Sequence, residues 1–170
     1  MPHKSLPPWV SKCLRDGITP AYESSISRYV HELLRAEPLG WPMGCITPEK
    51  TARTGVIGFA LRASQSAKPV YAAVTKYRGR LHRGIVADYF AKRTAGLRVA
   101  ALTNFVTWQV YAGGDPVREA TGEYYVRVME IELEISNDLA LLANLIGYRE
   151  AKEMKAIRAI LGAVARRRVA

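Results

Sequence analysis

The spacing of apolar positions predicts α-helices along most of the chain. Thr19-Pro20 is a typical helix start, with Thr19 as the N-cap and Pro20 at the first helical position. The apolar residues that follow recur at helical spacing: Ile26, Tyr29, Val30, Leu33 and Leu34. Because Pro38 ends this pattern, we predict a helix over residues 20–36. Thr47-Pro48 repeats the start signal and predicts a second helix that ends near Ser66.

The next segment, residues 70–89, combines a helical apolar pattern with many cations. Its apolar residues are Val70, Val74, Tyr77, Leu81, Ile85 and Tyr89. Lys76, Arg80 and Arg83 stand at i, i+4 and i+7, so a helix would present them as one stripe about 10 Å long. Gly79 and Gly84 inside the segment favour a bend in that helix, and the alternative is two helices joined at residues 79–84. A bent helix with a cationic stripe suits a polyanion.

Two further segments are ambiguous between helix and strand. Val99 to Ala112 is a run of 14 mostly apolar residues before Gly113-Gly114. We interpret it as a buried helix, since a membrane-spanning helix needs about 20 residues, although a short or tilted span stays open. Residues 116–135 contain an alternation of apolar and acidic side chains that favours a strand. The only candidate partner, residues 105–111, already belongs to the predicted helix, so we retain a helix there and predict a last one after Ser136.

These elements predict a mainly α fold, a helical bundle with a basic extended or helical N-terminal arm. A chain of 170 residues is long enough for one domain with a real core and short for two. We therefore expect an N-terminal arm and first helix over residues 1–46 and a helical core over residues 47–170. Cys13 and Cys45 are expected to be buried free thiols, with a disulfide as the alternative.

The net charge of +10 is confined to one part of the chain. Residues 1–112 contain 16 Lys or Arg and 6 Asp or Glu, whereas residues 113–170 contain 9 of each. A general solubility device would spread the excess more evenly. The uneven distribution indicates a dedicated anionic partner, such as nucleic acid or an acidic membrane.

The sequence carries no recognisable catalytic or metal-binding motif. Its three histidines share no spacing with Cys or paired acids, so a zinc site is not expected. No phosphate-binding glycine loop or nucleophile motif occurs either. We expect no enzymatic activity, no cofactor and no small-molecule substrate. The enzymatic alternative is that Asp88, Tyr89, His82 and His31 converge in space.

The basic positions predict contacts with a nucleic-acid backbone. Between Lys68 and Arg98, eight basic residues accompany a single acid, Asp88. Phosphate contacts dominate affinity and carry no sequence information, and nothing resembles a base-reading helix or an RNA-binding aromatic motif. A solvated charged face is the alternative. The candidate nucleic-acid-binding residues are Lys4, Lys12, Arg15, Lys68, Lys76, Arg78, Arg80, Arg83, Lys92 and Arg93.

Four segments, in their order along the chain, carry a resemblance to a known family. AAVTKY (Ala72 to Tyr77), a Gly- and Arg-containing segment, an Ala/Val-rich helix and LTNFVTWQVYAGGDPVREA (Leu102 to Ala120) resemble, in that order, the major coat proteins of rod-shaped and filamentous archaeal viruses. The resemblance covers about 50 residues. It implies a mostly helical subunit, a basic N-terminal arm on DNA, dimers stacked in a helical virion and A-form duplex. The positions it implies as DNA-facing are Lys76, Arg78, Arg80 and Arg83.

The leading hypothesis is therefore a structural coat protein that wraps double-stranded DNA through its backbone in a helical virion. Its expected partners are the duplex and a second copy of itself, or a homologous coat subunit, as a dimer. Its expected location is the virion, after assembly in the host cytoplasm. The alternative is an accessory structural subunit of a large membrane or ribonucleoprotein complex.

Overall fold

A computed structural model places most of the chain. It describes residues 5–17, 23–50, 57–64, 69–75, 99–113, 125–133 and 137–153, and positions 81, 84, 86, 90, 117, 118, 122, 158, 159, 162 and 166. Within these ranges the protein is a mixed α/β structure with a six-stranded sheet. The predicted mainly α helical bundle is therefore wrong.

Four helices and six strands have defined bounds. The helices are α1 (Pro8–Asp16), α2 (Glu23–Arg35), α3 (Asn137–Ile146) and α4 (Tyr148–Glu153). The strands are β1 (Ile46–Lys50), β2 (Ile57–Arg62), β3 (Pro69–Thr75), β4 (Val99–Thr103), β5 (Thr107–Gly113) and β6 (Tyr125–Glu132). A short 3₁₀ turn, Met43–Cys45, leads directly into β1.

The strands lie in the sheet in chain order, from β1 to β6. All neighbouring pairs are antiparallel except β3 and β4, which run parallel with Tyr71 opposite Val99 and Thr75 opposite Thr103. Two antiparallel three-stranded units are thus joined through one parallel pair at the centre. Parallel neighbours need a crossover connection, and residues 76–98, called the basic connection from here on, provide it.

Two of the predicted helices are confirmed, and strands replace all or part of the other four where the structure describes them. The helix predicted over 20–36 is present as α2 (Glu23–Arg35), and the helix predicted after Ser136 is present as α3 and α4. The helix predicted across residues 70–89 is wrong at its start, where β3 lies, whereas positions 84 and 86 have helical backbone conformation. The helix predicted from Thr47-Pro48 to Ser66 is wrong, because β1 and β2 occupy its described residues. The buried helix at Val99 to Ala112 is wrong as well, because this run forms β4 and most of β5.

The helix retained for residues 116–135 is also wrong where the structure describes it as a strand. β6 pairs with β5, with Trp108 opposite Ile131 and Gln109 opposite Glu130. The alternation of apolar and acidic residues was therefore a correct indication of a strand. The error came from assigning its partner to a helix first.

A tight turn at Asn104 to Val106 separates β4 from β5. The Asn104 side-chain oxygen accepts hydrogen bonds from the backbone N–H groups of Val106, at 3.2 Å, and Thr107, at 2.8 Å. Phe105 adopts a φ of 85°, which a side chain disfavours, but its ring is fully buried. We infer that burial of this ring offsets the cost of its backbone conformation.

The sheet divides the apolar interior into two clusters, because consecutive strand residues point to opposite faces. One face, called the core face, packs against α1, α2, α3 and α4 in a large cluster. The opposite face, called the connection face, packs against described residues of the basic connection in a small cluster. Val99 and Ala101 point to the core face, whereas Ala100 and Leu102 point to the connection face.

The core face joins residues from both of the segments predicted as an arm and a core domain. Val10 of α1 and Val30 of α2 are fully buried in the same cluster as Phe59 and Trp108 of the sheet. The Trp41 indole N–H also donates to the Ile146 carbonyl at the end of α3, at 2.8 Å. Residues 5–17 therefore belong to the main core.

Candidate nucleic-acid interface

The structure describes two of the ten predicted nucleic-acid-binding residues. These are Lys12 and Arg15, both on α1 and both exposed. The other eight lie outside the described residues: Lys4, Lys68, Lys76, Arg78, Arg80, Arg83, Lys92 and Arg93. The described part of the candidate interface therefore consists of α1 and the anchors of the basic connection at positions 81, 84, 86 and 90.

Helix α1 places its cations on the side away from the core. Val10 and Leu14, four residues apart, are buried and fix one face of the helix against the main core. Lys12 and Arg15 stand three residues apart, so they share an exposed face. Among the described residues, no carboxylate forms an ion pair with either of them. Both charges are available to an external anion.

A third cation, Arg28, lies beside this helix. Its guanidinium carbon is 4.9 Å from the centre of the Trp9 ring, a cation–π geometry. Trp9 also packs against Tyr29, with ring centroids 4.5 Å apart. Since Arg28 is exposed, it extends the cationic area of α1 onto α2. Lys12, Arg15 and Arg28 are called the α1–α2 basic surface below. Sequence analysis missed Arg28, because only the tertiary contact with Trp9 brings it there.

Tyr29 connects this surface to the interior. A hydrogen bond with the Cys13 side chain, reinforced by burial, raises the pKa of the Tyr29 phenol above its usual value. Its ring also meets the Phe105 ring edge-on, with centroids 5.3 Å apart. The two cysteines are free thiols as predicted, although only Cys45 is buried and Cys13 is half-buried.

The basic connection is attached to the other face of the sheet. Gly84, Val86 and Phe90 have helical backbone conformation. Val86 is fully buried against Ala100 and Leu102, and Phe90 packs beside it. These anchors fix the connection across the connection face. Seven Lys or Arg residues and one Asp lie between residues 76 and 98.

Phe90 occupies space that a glycine leaves open in β5. A Cβ atom at Gly113 would overlap the Phe90 ring, so only glycine permits this contact. The same ring stacks on Tyr125 of β6, with centroids 6.0 Å apart and an interplanar angle of 8°. Tyr111 meets Tyr125 edge-on at 5.8 Å. An aromatic cluster thus joins the basic connection to β5 and β6.

A chain of polar side chains continues from this cluster along the connection face. The Tyr111 hydroxyl donates to the Gln109 side-chain oxygen at 2.9 Å, and the Gln109 amide donates to the Glu130 carboxylate at 2.5 Å. Arg127 forms an ion pair with the same carboxylate oxygen at 3.0 Å. Gln109 is largely buried, whereas Arg127 and Glu130 are exposed. The Glu130 charge is therefore already paired within the chain.

The described anchors of α1 and of the basic connection pack on opposite faces of the sheet. Val10 and Leu14 of α1 belong to the core-face cluster, whereas Val86 belongs to the small cluster on the connection face. The cations of the connection themselves lie outside the described residues.

The described part of the chain contains no group of three His, Cys, Asp or Glu side chains that could hold a metal ion. Of the proposed enzymatic set, only His31 is described, and it lies 5.7 Å from the Phe59 ring. Within the described ranges, no helix combines the length and the apolar character that crossing a membrane requires. No protein-family model matches the sequence, and no curated protein or solved structure is significantly similar to it.

Proposed function

We propose that this protein binds double-stranded DNA through the phosphate backbone, without reading the base sequence, and that the basic connection makes most of the contacts. The observation that carries this proposal is the concentration of charge between two parallel strands. Seven cations and one acid occur in a segment that Leu81, Val86 and Phe90 attach to the sheet. The cations are therefore close in sequence to residues that pack on the sheet.

Duplex DNA is the partner that this charge favours. It carries one negative charge per about 1.7 Å of helix axis, and neutralising its phosphates releases condensed counterions. A single acidic residue in the connection, Asp88, limits internal compensation of the cations. Contacts of this kind position a duplex and do not discriminate between base pairs.

The more specific hypothesis is a coat subunit in a helical virion, and the mixed α/β fold gives it no support. The resemblance implied a mostly helical subunit, but the described parts of Ala72 to Tyr77 and of Leu102 to Ala120 include β3, β4 and β5. Coat assembly stays a prediction. Electron microscopy of the protein mixed with linear duplex tests it directly, because a coat subunit forms regular filaments along the DNA.

Fluorescence anisotropy with short labelled duplexes tests the proposed binding. We expect similar affinities for duplexes of unrelated sequence and a steep loss of affinity between about 50 and 200 mM salt. The double charge reversal Arg80→Glu and Arg83→Glu should weaken binding at least about tenfold, equally for each duplex.

The matched control is Arg158→Glu with Arg166→Glu, which removes the same charge from exposed positions outside the basic connection. It should weaken binding only slightly. Equal losses of duplex affinity in the two double variants would show that the net charge of the protein matters and the location of the cations does not. Failure of the unmodified protein to retain duplex at low salt would refute the proposed function.

A further inference from the structure

We infer that Arg62, at the end of β2, binds a phosphate group through its guanidinium. This inference deepens the proposed function by adding a phosphate-binding residue outside the basic connection, and it rests on that function only where the phosphate belongs to DNA. The first test uses inorganic phosphate without DNA, so that the inference and the proposed function fail separately.

The Nε atom of Arg62 is a buried hydrogen-bond donor without an acceptor. It is inaccessible to solvent and makes no hydrogen bond, and it is the one side-chain nitrogen or oxygen in this condition within the part of the chain that the structure describes. A buried donor left unpaired costs the folded state the lost hydration of that group, and such donors are rare in native proteins. The Arg62 Nε–H group is therefore available to an oxygen atom that the chain itself does not supply.

No carboxylate within the described ranges forms an ion pair with Arg62. On the neighbouring strand β1, Glu49 lies opposite Gly58, four residues along β2 from Arg62. At about 3.3 Å per residue, the backbones of Glu49 and Arg62 are about 13 Å apart. The sequence contains no other Asp or Glu before Asp88. Arg62 therefore lies in a long segment without a negative charge that would compete with an external anion.

The position of Arg62 allows a ligand at the surface to reach this donor. Leu61 belongs to the core-face cluster, so Arg62, the next residue, lies on the side of the connection face. The irregularity in the register here leaves Val70 of β3 unpaired, so β2 keeps its alternation. Ala60, on the same side as Arg62, is buried, whereas Arg62 as a whole is half-buried. The Nε atom is thus covered, while the rest of the residue extends to the surface.

A guanidinium in this state suits a phosphate oxyanion. Its planar fork of donors binds two oxygens of one phosphate at once, and these charge-assisted hydrogen bonds are stronger than neutral ones. Arg62 differs in this respect from the α1–α2 basic surface, where Lys12 and Arg15 are exposed and Arg28 lies over Trp9. Water solvates those exposed cations, whereas solvent has no access to the Nε atom of Arg62.

Thermal unfolding of the full-length protein tests the inference. The midpoint Tm is measured in sodium phosphate, acetate and chloride at equal ionic strength and neutral pH. Phosphate should raise the Tm of the unmodified protein by at least about 2 °C more than chloride or acetate does, because a ligand of the folded state stabilises it by mass action. Arg62→Met, which keeps an apolar stem and removes the donors, should lose most of this additional rise. In chloride its Tm should exceed that of the unmodified protein, because an unsatisfied donor is removed.

Two further variants separate the buried donor from charge in general. Arg158→Met neutralises an exposed arginine and should keep the full response, which also accounts for the general stabilisation of proteins by phosphate. Arg62→Lys keeps the charge but lacks the Nε–H group, and it should lose most of the response. Circular dichroism verifies that each variant is folded. An unchanged response in either Arg62 variant, an equal response to acetate, or a lower Tm of Arg62→Met in chloride would overturn the inference.

Duplex binding by the same variants identifies the source of the phosphate. A salt slope smaller by about 0.9 for Arg62→Met, with an unchanged slope for Arg158→Met, assigns the site to the DNA backbone. An unchanged slope together with a lost response to inorganic phosphate assigns the site to a free phosphate group, and the proposed function then stands without Arg62. If the unmodified protein binds no duplex, the proposed function fails, while the response to inorganic phosphate still decides the inference.

Discussion

The two faces of the sheet differ in what they bury and in what they expose. The core face packs against four helices in one large apolar cluster that contains Trp41, Trp108 and Phe105, all nearly inaccessible to solvent. The connection face has a small cluster, a stack of aromatic rings and the polar chain from Tyr111 to Arg127. The difference indicates that the core face supplies most of the stability, whereas the connection face packs against the described anchors Leu81, Val86 and Phe90.

The largest expected effect is a difference in stability between matched leucine truncations on the two faces. Leu61→Ala on the core face should cost about 4 kcal/mol in the free energy of unfolding, because the surrounding helices prevent collapse of the cavity. Leu102→Ala, equally buried, should cost about 2 kcal/mol, because the half-buried anchors Leu81 and Phe90 can move into the gap. Urea denaturation measures both values, and equal costs would contradict the contrast.

Gly113→Ala should disturb the connection face without touching the core face. Since the new methyl group overlaps the Phe90 ring, that ring must move and lose its stack on Tyr125, at a cost of about 1–2 kcal/mol. The variant should also bind duplex DNA more weakly, because the basic connection loses an anchor. In a Phe90→Ala background the same substitution should cost much less, which a double-mutant cycle measures. An unchanged cost in that background would show that the ring is not the obstacle.

The polar chain from Tyr111 to Arg127 predicts a smaller difference in stability, between truncations of the exposed residues Glu130 and Arg127. Glu130→Ala should cost about 1 kcal/mol, because it leaves the largely buried Gln109 amide without its acceptor. Arg127→Ala should cost less than about 0.5 kcal/mol, since the ion pair it removes is exposed. Thermal or urea unfolding of the two variants measures the difference. A larger cost for Arg127→Ala would show that the ion pair, and not the amide, stabilises this face.

The smallest effect concerns Tyr29 at high pH. Its pKa is raised in the folded protein, so the folded state holds the phenol proton more tightly than the unfolded chain does. This contribution to stability is complete below the ordinary tyrosine pKa of about 10 and is lost as the pH rises through the raised value. As the pH rises above about 10, the free energy of unfolding of Tyr29→Phe should therefore fall less than that of the unmodified protein. An equally steep loss of stability with pH in both proteins would contradict the assignment of this effect to Tyr29.

The central strands explain why the sequence pattern predicted the wrong fold class. All five residues of β4, Val99–Thr103, are buried, because helices or the basic connection cover both faces of the sheet there. A strand covered on both faces reads as a continuous apolar run and loses its period-two pattern, so periodicity cannot separate it from a buried helix. Asn104 was the local signal that was missed, because its side chain stabilises a turn inside the run.

The remaining errors arose because the sequence does not show which strands pair or which face of the sheet each segment covers. The strand pattern around Ile131 was recognised, but its partner had been assigned to a helix, and one wrong element therefore produced a second. The helix later found as α2 was predictable, since Thr19-Pro20 and its apolar stripe are local signals. Helix α1 and the described anchor Val86 pack on opposite faces of the sheet, and this depends on which face each segment covers. No spacing in the sequence contains that tertiary property.

The salt dependence of duplex binding tests the central claim most directly. The logarithm of the binding constant is measured against the logarithm of salt concentration for the unmodified protein and for Arg80→Gln with Arg83→Gln. Because each lost phosphate contact reduces the slope by about 0.9, we predict a slope smaller by about 1.8 in the double variant. An unchanged slope would contradict the claim that these cations of the basic connection contact the DNA backbone.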